Sequence, residues 1–139
     1  MFPLDPTTGK PVNISTRGHV GTGDQILIAG FVISKGAQQV IVQALGPELS
    51  TEGIDNFLSD PVLTIFDANE EALATNDNWE DDDKQVIIIS DLWNGSPPMD
   101  PDSNSSAIAI TLAPGRYTAV INGSSNTQGV ALVEVYEVD

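Results

Sequence analysis

The chain contains no cysteine, so it can form neither a disulfide framework nor a thiolate metal site. Positive charge is scarce: five Lys and Arg stand against twenty Asp and Glu, a formal net charge of −15. A surface of that sign repels phosphate backbones and anionic headgroups, which argues against nucleic acid and membrane surfaces as partners. His19 is the single histidine, which rules out poly-histidine zinc sites and most histidine-based triads. There is no GxSxG elbow and no HExxH pair. No apolar run approaches the roughly 18 residues of a membrane helix, so no membrane insertion is expected. The opening Met1-Phe2-Pro3-Leu4-Asp5 lacks the basic and apolar regions of a secretory leader. Together these absences point away from an enzyme.

What is present suits one folded domain. The 139 residues are 40% hydrophobic, enough for a core that needs no covalent staples. Residues 1–12 carry Pro3, Pro6 and Pro11 and read as an extended arm. Residues 13–139 read as a single domain of short strands separated by turn residues. Val12 to Arg17 is the first strand, and Gly18 to Asp24 a glycine-rich turn whose glycines serve positive φ. Gln25 to Ser34 is the most apolar stretch: Ile26, Ile28 and Val32 point one way, Leu27, Ala29, Phe31 and Ile33 the other. Apolar residues on both faces predict a central strand covered on both sides, with Gly30 marking a bulge or a close backbone approach. Gln39 to Leu45 returns as its partner.

Asp60 to Trp79 (DPVLTIFDANEEALATNDNW) reads as one hairpin: a strand from Val62 to Phe66, turn residues Asp67 to Glu70, and a return strand from Ala72 to Thr75. Asp81 to Leu92 is predicted as a short helix, with a strand at Gln85 to Ile89 competing because β-branched residues cluster there. Asn94 to Ser105, with three prolines, is a long loop. Ser106 to Leu112, Arg116 to Asn122 and Gly129 to Asp139 then predict a three-stranded antiparallel meander. About eight strands, one short helix and no α/β alternation make this an all-β chain, a two-sheet antiparallel β-sandwich of jelly-roll-like type.

The segments NISTRGHVGTGDQILIAGFVI, QALGPELS, DPVLTIFD, ATNDNW, LAPGRYTAVING and GVALVEVYEVD resemble a module of bacterial secreted and surface proteins, often found at the C-terminal end of long chains. The hairpin DPVLTIFD…ATNDNW is also similar, more distantly, to pre-peptidase C-terminal and collagen-binding-type domains. The resemblance implies a β-sandwich located outside the cytoplasm, extracellular or on the cell surface, with no enzymatic activity of its own. In the collagen-binding-type relatives the matching acidic and amide positions bind calcium.

Candidate site residues fall into two sets. Asp60, Asp67, Asn69, Asn76, Asp77 and Asn78 supply the oxygen ligands that calcium requires, although no EF-hand loop is present. Phe2, Leu4 and Val12 of the arm, Ile14 of the first strand, Phe31 and Ile33 of the apolar strand, and Leu132 and Tyr136 of the last strand are candidates for self-assembly. An extended arm can add itself to a neighbour's sheet edge, and a head-to-tail contact of that kind builds filaments unless it closes into a ring. The function expected is therefore a structural subunit of a filament or surface layer, with copies of itself as partners. The alternative is a calcium-supported module that binds glycan or a surface protein, with Trp79, Trp93, Tyr117 and Tyr136 as aromatic contacts.

Overall fold

The computed structural model describes residues 12–22, 25–34, 36–77, 104–124 and 127–138. The strands are β1 (Val12–Val20), β2 (Leu27–Ile33), β3 (Gln38–Leu45), β4 (Pro61–Phe66), β5 (Ala72–Asn76), β6 (Ser106–Leu112), β7 (Gly115–Gly123) and β8 (Gly129–Val138). They form two four-stranded sheets, ordered β1-β8-β3-β6 and β2-β7-β4-β5, and every strand pair is antiparallel. The pairings 1–8, 2–7, 3–6 and 4–5 are those of one long hairpin rolled into two layers, the jelly-roll arrangement. The all-β sandwich anticipated from strand spacing is thus the fold observed.

Each sheet turns one row of every strand toward the space between the layers. Val20, Ala29, Phe31, Ile33, Val40, Val42, Leu63, Ile65, Ile108, Leu112, Ala119, Ile121, Val133 and Val135 meet there as one core. A 3-10 helix, Pro47–Glu52, joins β3 toward β4 and ends at Gly53, whose φ of 82° is the left-handed conformation glycine adopts without steric cost. After it, the segment around Phe57 pairs alongside β8: the Leu58 N–H donates to the Val130 carbonyl at 2.7 Å, and the Val130 N–H to the Asn56 carbonyl at 2.8 Å. The predicted helix at Asp81 to Leu92 lies outside the described residues.

Several local expectations are corrected. Among the described residues β2 is not central: it is an edge strand whose one partner is β7. β3 is the strand buried on both faces, with Val40, Val42 and Ala44 in the core and Ile41, Gln43 and Leu45 buried on the opposite side. β3 does not pair with β2, and β6, β7 and β8 are not a meander, because consecutive strands alternate between the layers except at β4 and β5. The reason is that alternation of apolar and polar residues reports which face is buried and not which strand lies alongside. Gly18 belongs to β1, opposite Ala131, and not to a turn. A Cβ there would come within 2.9 Å of the Leu27 Cδ1 atom, so glycine serves close packing between layers at that position. Gly30 marks neither a bulge nor a close approach. The β2–β7 register runs unbroken through it, and a Cβ would meet only the Tyr117 carbonyl, at 3.9 Å.

Candidate functional site

The β4–β5 hairpin is built as its residues suggest, with a bulge between Ile65 and Phe66. Its turn is organised by Asp67, whose Oδ1 accepts the Asn69 N–H at 2.8 Å and the Glu71 N–H at 3.0 Å. That is the local bonding for which Asp is favoured in turns. The next residue but two, Glu70, takes φ of 64°, an uncommon conformation for a residue with a Cβ. Asp67 and Asn69 therefore sit at the turn end of the hairpin. Asp60, Asn76 and Asp77 sit at its open end, one strand length away, about 20 Å at the usual rise per residue. Of the six oxygen-bearing candidates for calcium, Asp67 and Asn69 are thus held apart from Asp60, Asn76 and Asp77 by the length of β4; Asn78 lies outside the described residues. Among the described residues no group of three or more His, Cys, Asp or Glu comes together as a metal cluster.

The open end is a polar belt. The Ser106 hydroxyl contacts the Pro61 carbonyl at 2.7 Å and the Asp77 carbonyl. Asn76 Oδ1 accepts the Ala107 N–H at 3.1 Å. The Ser105 hydroxyl donates to Glu48 Oε1 and its oxygen accepts the Gly46 N–H at 3.1 Å. The Asp60 carbonyl accepts the Ser124 N–H at 2.9 Å. Ser105 and Ser106 are fully buried, so their hydroxyls satisfy backbone groups where the layers are cross-linked by polar contacts. Sequence reasoning missed the polar roles of Glu48, Ser105 and Ser106, since Ser105 read as the end of a proline-rich loop, Ser106 as the start of a strand and Glu48 as part of a break in the sheet.

A second polar group lies on the side of β3 and β8 turned away from the core. Gln43 is fully buried and donates through Nε2 to Glu134 Oε1 at 3.0 Å and to the Tyr136 hydroxyl at 3.4 Å. Burial, the Glu134 charge and its hydrogen bond to Glu134 push the Tyr136 hydroxyl well above the usual tyrosine range, and the Gln43 bond opposes them. The signal for this group was legible: one glutamine inside QVIVQAL and one glutamate inside ALVEVYEV, each needing a partner if buried. Leu132 and Tyr136 are half-buried on this face.

The assembly residues are thus redistributed. Phe31 and Ile33 are core residues, 6% and 4% exposed, so they offer no surface for assembly. Val12 and Ile14 lie on β1, in register with Tyr136 and Val135 of the chain's own β8, and are not part of a free arm. Phe2 and Leu4 lie outside the described residues. Among the described residues, the large apolar side chains most exposed to solvent are Ile28 (56%) and Val32 (61%) on β2, with Leu73 (42%) on β5. β2 was assigned the correct two faces, but its solvent face and its core face were exchanged in importance.

No family model matches the sequence, and no curated protein matches it. The fold does have a solved counterpart, the pre-peptidase C-terminal domain of a collagenase from Bacillus anthracis. The TM-score is 0.54 at 13% identity, over 89% of this chain and 89% of that one. The fold is similar to a pre-peptidase C-terminal domain. At that identity the likeness is one of backbone architecture, and it supports the distant resemblance carried by the DPVLTIFD…ATNDNW hairpin. A pre-peptidase C-terminal-like sandwich presents its sheet edges and the loops at its two ends, and in this chain the polar belt occupies one end and the β2 ledge one edge.

Proposed function

We propose that the chain is a non-catalytic extracellular module that works by surface contact, as a self-associating subunit of a filament or surface layer. The observation that carries this reading is the exposed apolar ledge of Ile28 and Val32 on an edge strand. A sheet edge with apolar side chains and unpaired backbone groups is a template for another strand. The likeness to the C-terminal domain of a collagenase supports placing the module outside the cell, and the absence of nucleophile-base motifs from the sequence supports a contact role. Electron microscopy of the purified chain, across a range of concentrations, tests it. Filaments or sheets are the expected result, and isolated monomers under every condition overturn it. Removing residues 1–11, which leaves β1 whole, tests donation of the arm: assembly that persists without them eliminates the arm as a contact.

A calcium-supported binding module for glycan or protein is the second reading. It is favoured by the gathering of Glu48, Asn76 and Asp77 around Ser105, Ser106 and Ala107, beside Asp60 at the same end. Calcium bound there stabilises the fold in proportion to its occupancy, so chelation lowers the melting temperature. An unchanged melting curve removes calcium from the account.

A further inference from the structure

Resting on the self-association reading, we infer that the contact itself is antiparallel pairing of β2 with β2 of a second copy, about a two-fold axis through Gly30. Among the described residues the sandwich has four edge strands, β1, β6, β2 and β5, and three of them carry features that discourage pairing. β1 is bulged between Val12 and Ile14 and presents Arg17 and His19 to solvent. β5 has five residues and faces a bulge. β6 gives its Ala107 N–H to Asn76 and buries Ala107 and Ala109. β2 has none of these: Leu27–Ile33 (LIAGFVI) contains no charge and no proline, runs in unbroken register with β7, and among the described residues no strand lies on its other side. Bulges, charges and short length are how edge strands avoid pairing.

The strand is also self-complementary. Antiparallel pairing centred on Gly30 sets Ile28 opposite Val32 of the second copy and Val32 opposite its Ile28, so the two exposed apolar side chains cover each other. Shifting the centre by one residue leaves one member of each pair facing glycine or a residue beyond the strand. At the centre Gly30 meets its own equivalent, where the absence of a side chain lets the two copies approach. Among the described residues, the outward positions on the neighbouring β7 and β4 are Arg116, Thr118, Val120, Asn122, Val62, Thr64 and Phe66, one cation and no carboxylate. On a chain of net charge −15, a stretch without carboxylates lowers the repulsion that a second copy meets. The occupant is a second copy of this chain, because Ile28 and Val32 lie at equal distances either side of Gly30 and so match themselves. Added salt strengthens the contact by screening the repulsion between two acidic chains. Being two-fold, the contact closes into a dimer, and growth into a filament needs a second contact elsewhere.

Sedimentation of the full chain, at concentrations up to about 1 mM because a single-strand contact is small, reads the association. A dimer that strengthens as salt rises from about 0.01 to about 0.15 M is expected. Joint substitution Ile28→Lys and Val32→Lys sets like charges opposite each other and raises the dissociation constant at least about tenfold. Leu73→Lys, at an exposed position on the far edge, leaves it unchanged. Because the chain has no cysteine, single cysteines report the register. Gly30→Cys, which the local space accepts, forms an interchain disulfide on oxidation, and Ile28→Cys, facing Val32 and not itself, does not. Association that survives the double lysine variant, or crosslinks at Ile28 and not at Gly30, overturns the β2 contact and leaves the self-association reading standing. A chain that stays monomeric at every concentration and salt overturns both.

Discussion

Leu63 and Leu73 lie ten residues apart on the two arms of one hairpin and differ in burial, so truncating each in turn tests the layer assignment directly. Leu63 is fully buried at the centre of β4, between β5 and β7, and belongs to the core shared by both sheets. Leu63→Ala removes three carbons from that core. At about 0.8 kcal/mol per methylene, the transfer contribution is about 2.4 kcal/mol. The cavity left behind adds to this, because strands held on both sides by neighbours cannot collapse into it, and a total of about 3 to 4 kcal/mol lies within the range for such sites. Against a folding stability of about 5–15 kcal/mol, that loss moves the urea midpoint visibly without abolishing the fold. Leu73, 42% exposed at the bulge, has a half-hydrated side chain in the native state, and Leu73→Ala costs under about 1 kcal/mol. Urea unfolding followed by far-ultraviolet circular dichroism, with the two variants fitted at a common slope, supplies both numbers. A Leu63→Ala cost below about 1 kcal/mol, or equal costs at the two positions, would refute the placement of β4 over the β1-β8-β3-β6 sheet.

Three further outcomes follow from particular residues. Gly46→Ala brings a Cβ to 1.9 Å from the Leu58 carbonyl oxygen and strains the backbone that donates to Ser105; a loss of about 3 kcal/mol or more is expected in thermal unfolding, and a neutral result would show that the 3-10 segment moves freely. Glu70→Asn places an αL-tolerant residue at φ of 64° and raises stability by about 0.5 kcal/mol, measured by the same urea titration. The Tyr136 hydroxyl titrates above its ordinary value of 10.0 in the folded chain, so the native state holds a proton that the unfolded state releases. Its contribution is fully present below pH 10.0 and is lost as pH rises past that value. Tyr136→Phe should flatten the decline in stability above that pH, and a decline identical to that of the parent chain would assign the alkaline loss to other groups.

The hairpin from Pro61 to Asn76 shows how much the sequence itself determines. β-branched strands, an Asp-led turn and a polar exit specify a local unit whose two strands pair with each other, because both the pattern and the turn lie within one short segment. The same local logic found the eight strands seen among the described residues and the all-β sandwich, and it separated the two faces of β2. It could not say which strand lies beside which. β2 and β3 are joined by four residues and both are apolar, yet one became an exposed edge and the other the strand buried on both sides. Periodicity records that a face is buried and not whether protein or solvent lies beyond the opposite face. For the same reason Phe31 and Ile33 read as surface when they are core, while Ile28 and Val32 emerged as the exposed pair only once β2 was placed at an edge. The calcium candidates are close in sequence, yet Asp67 and Asn69 lie at one end of the hairpin and Asp60, Asn76 and Asp77 at the other, because an extended strand of six residues separates its ends by nearly its full length. Composition and pattern determined that this acidic chain folds as a sandwich. Its tertiary pairing decided which of the described strands lie at the sheet edges, because an edge exists only when strands distant in sequence have chosen their neighbours.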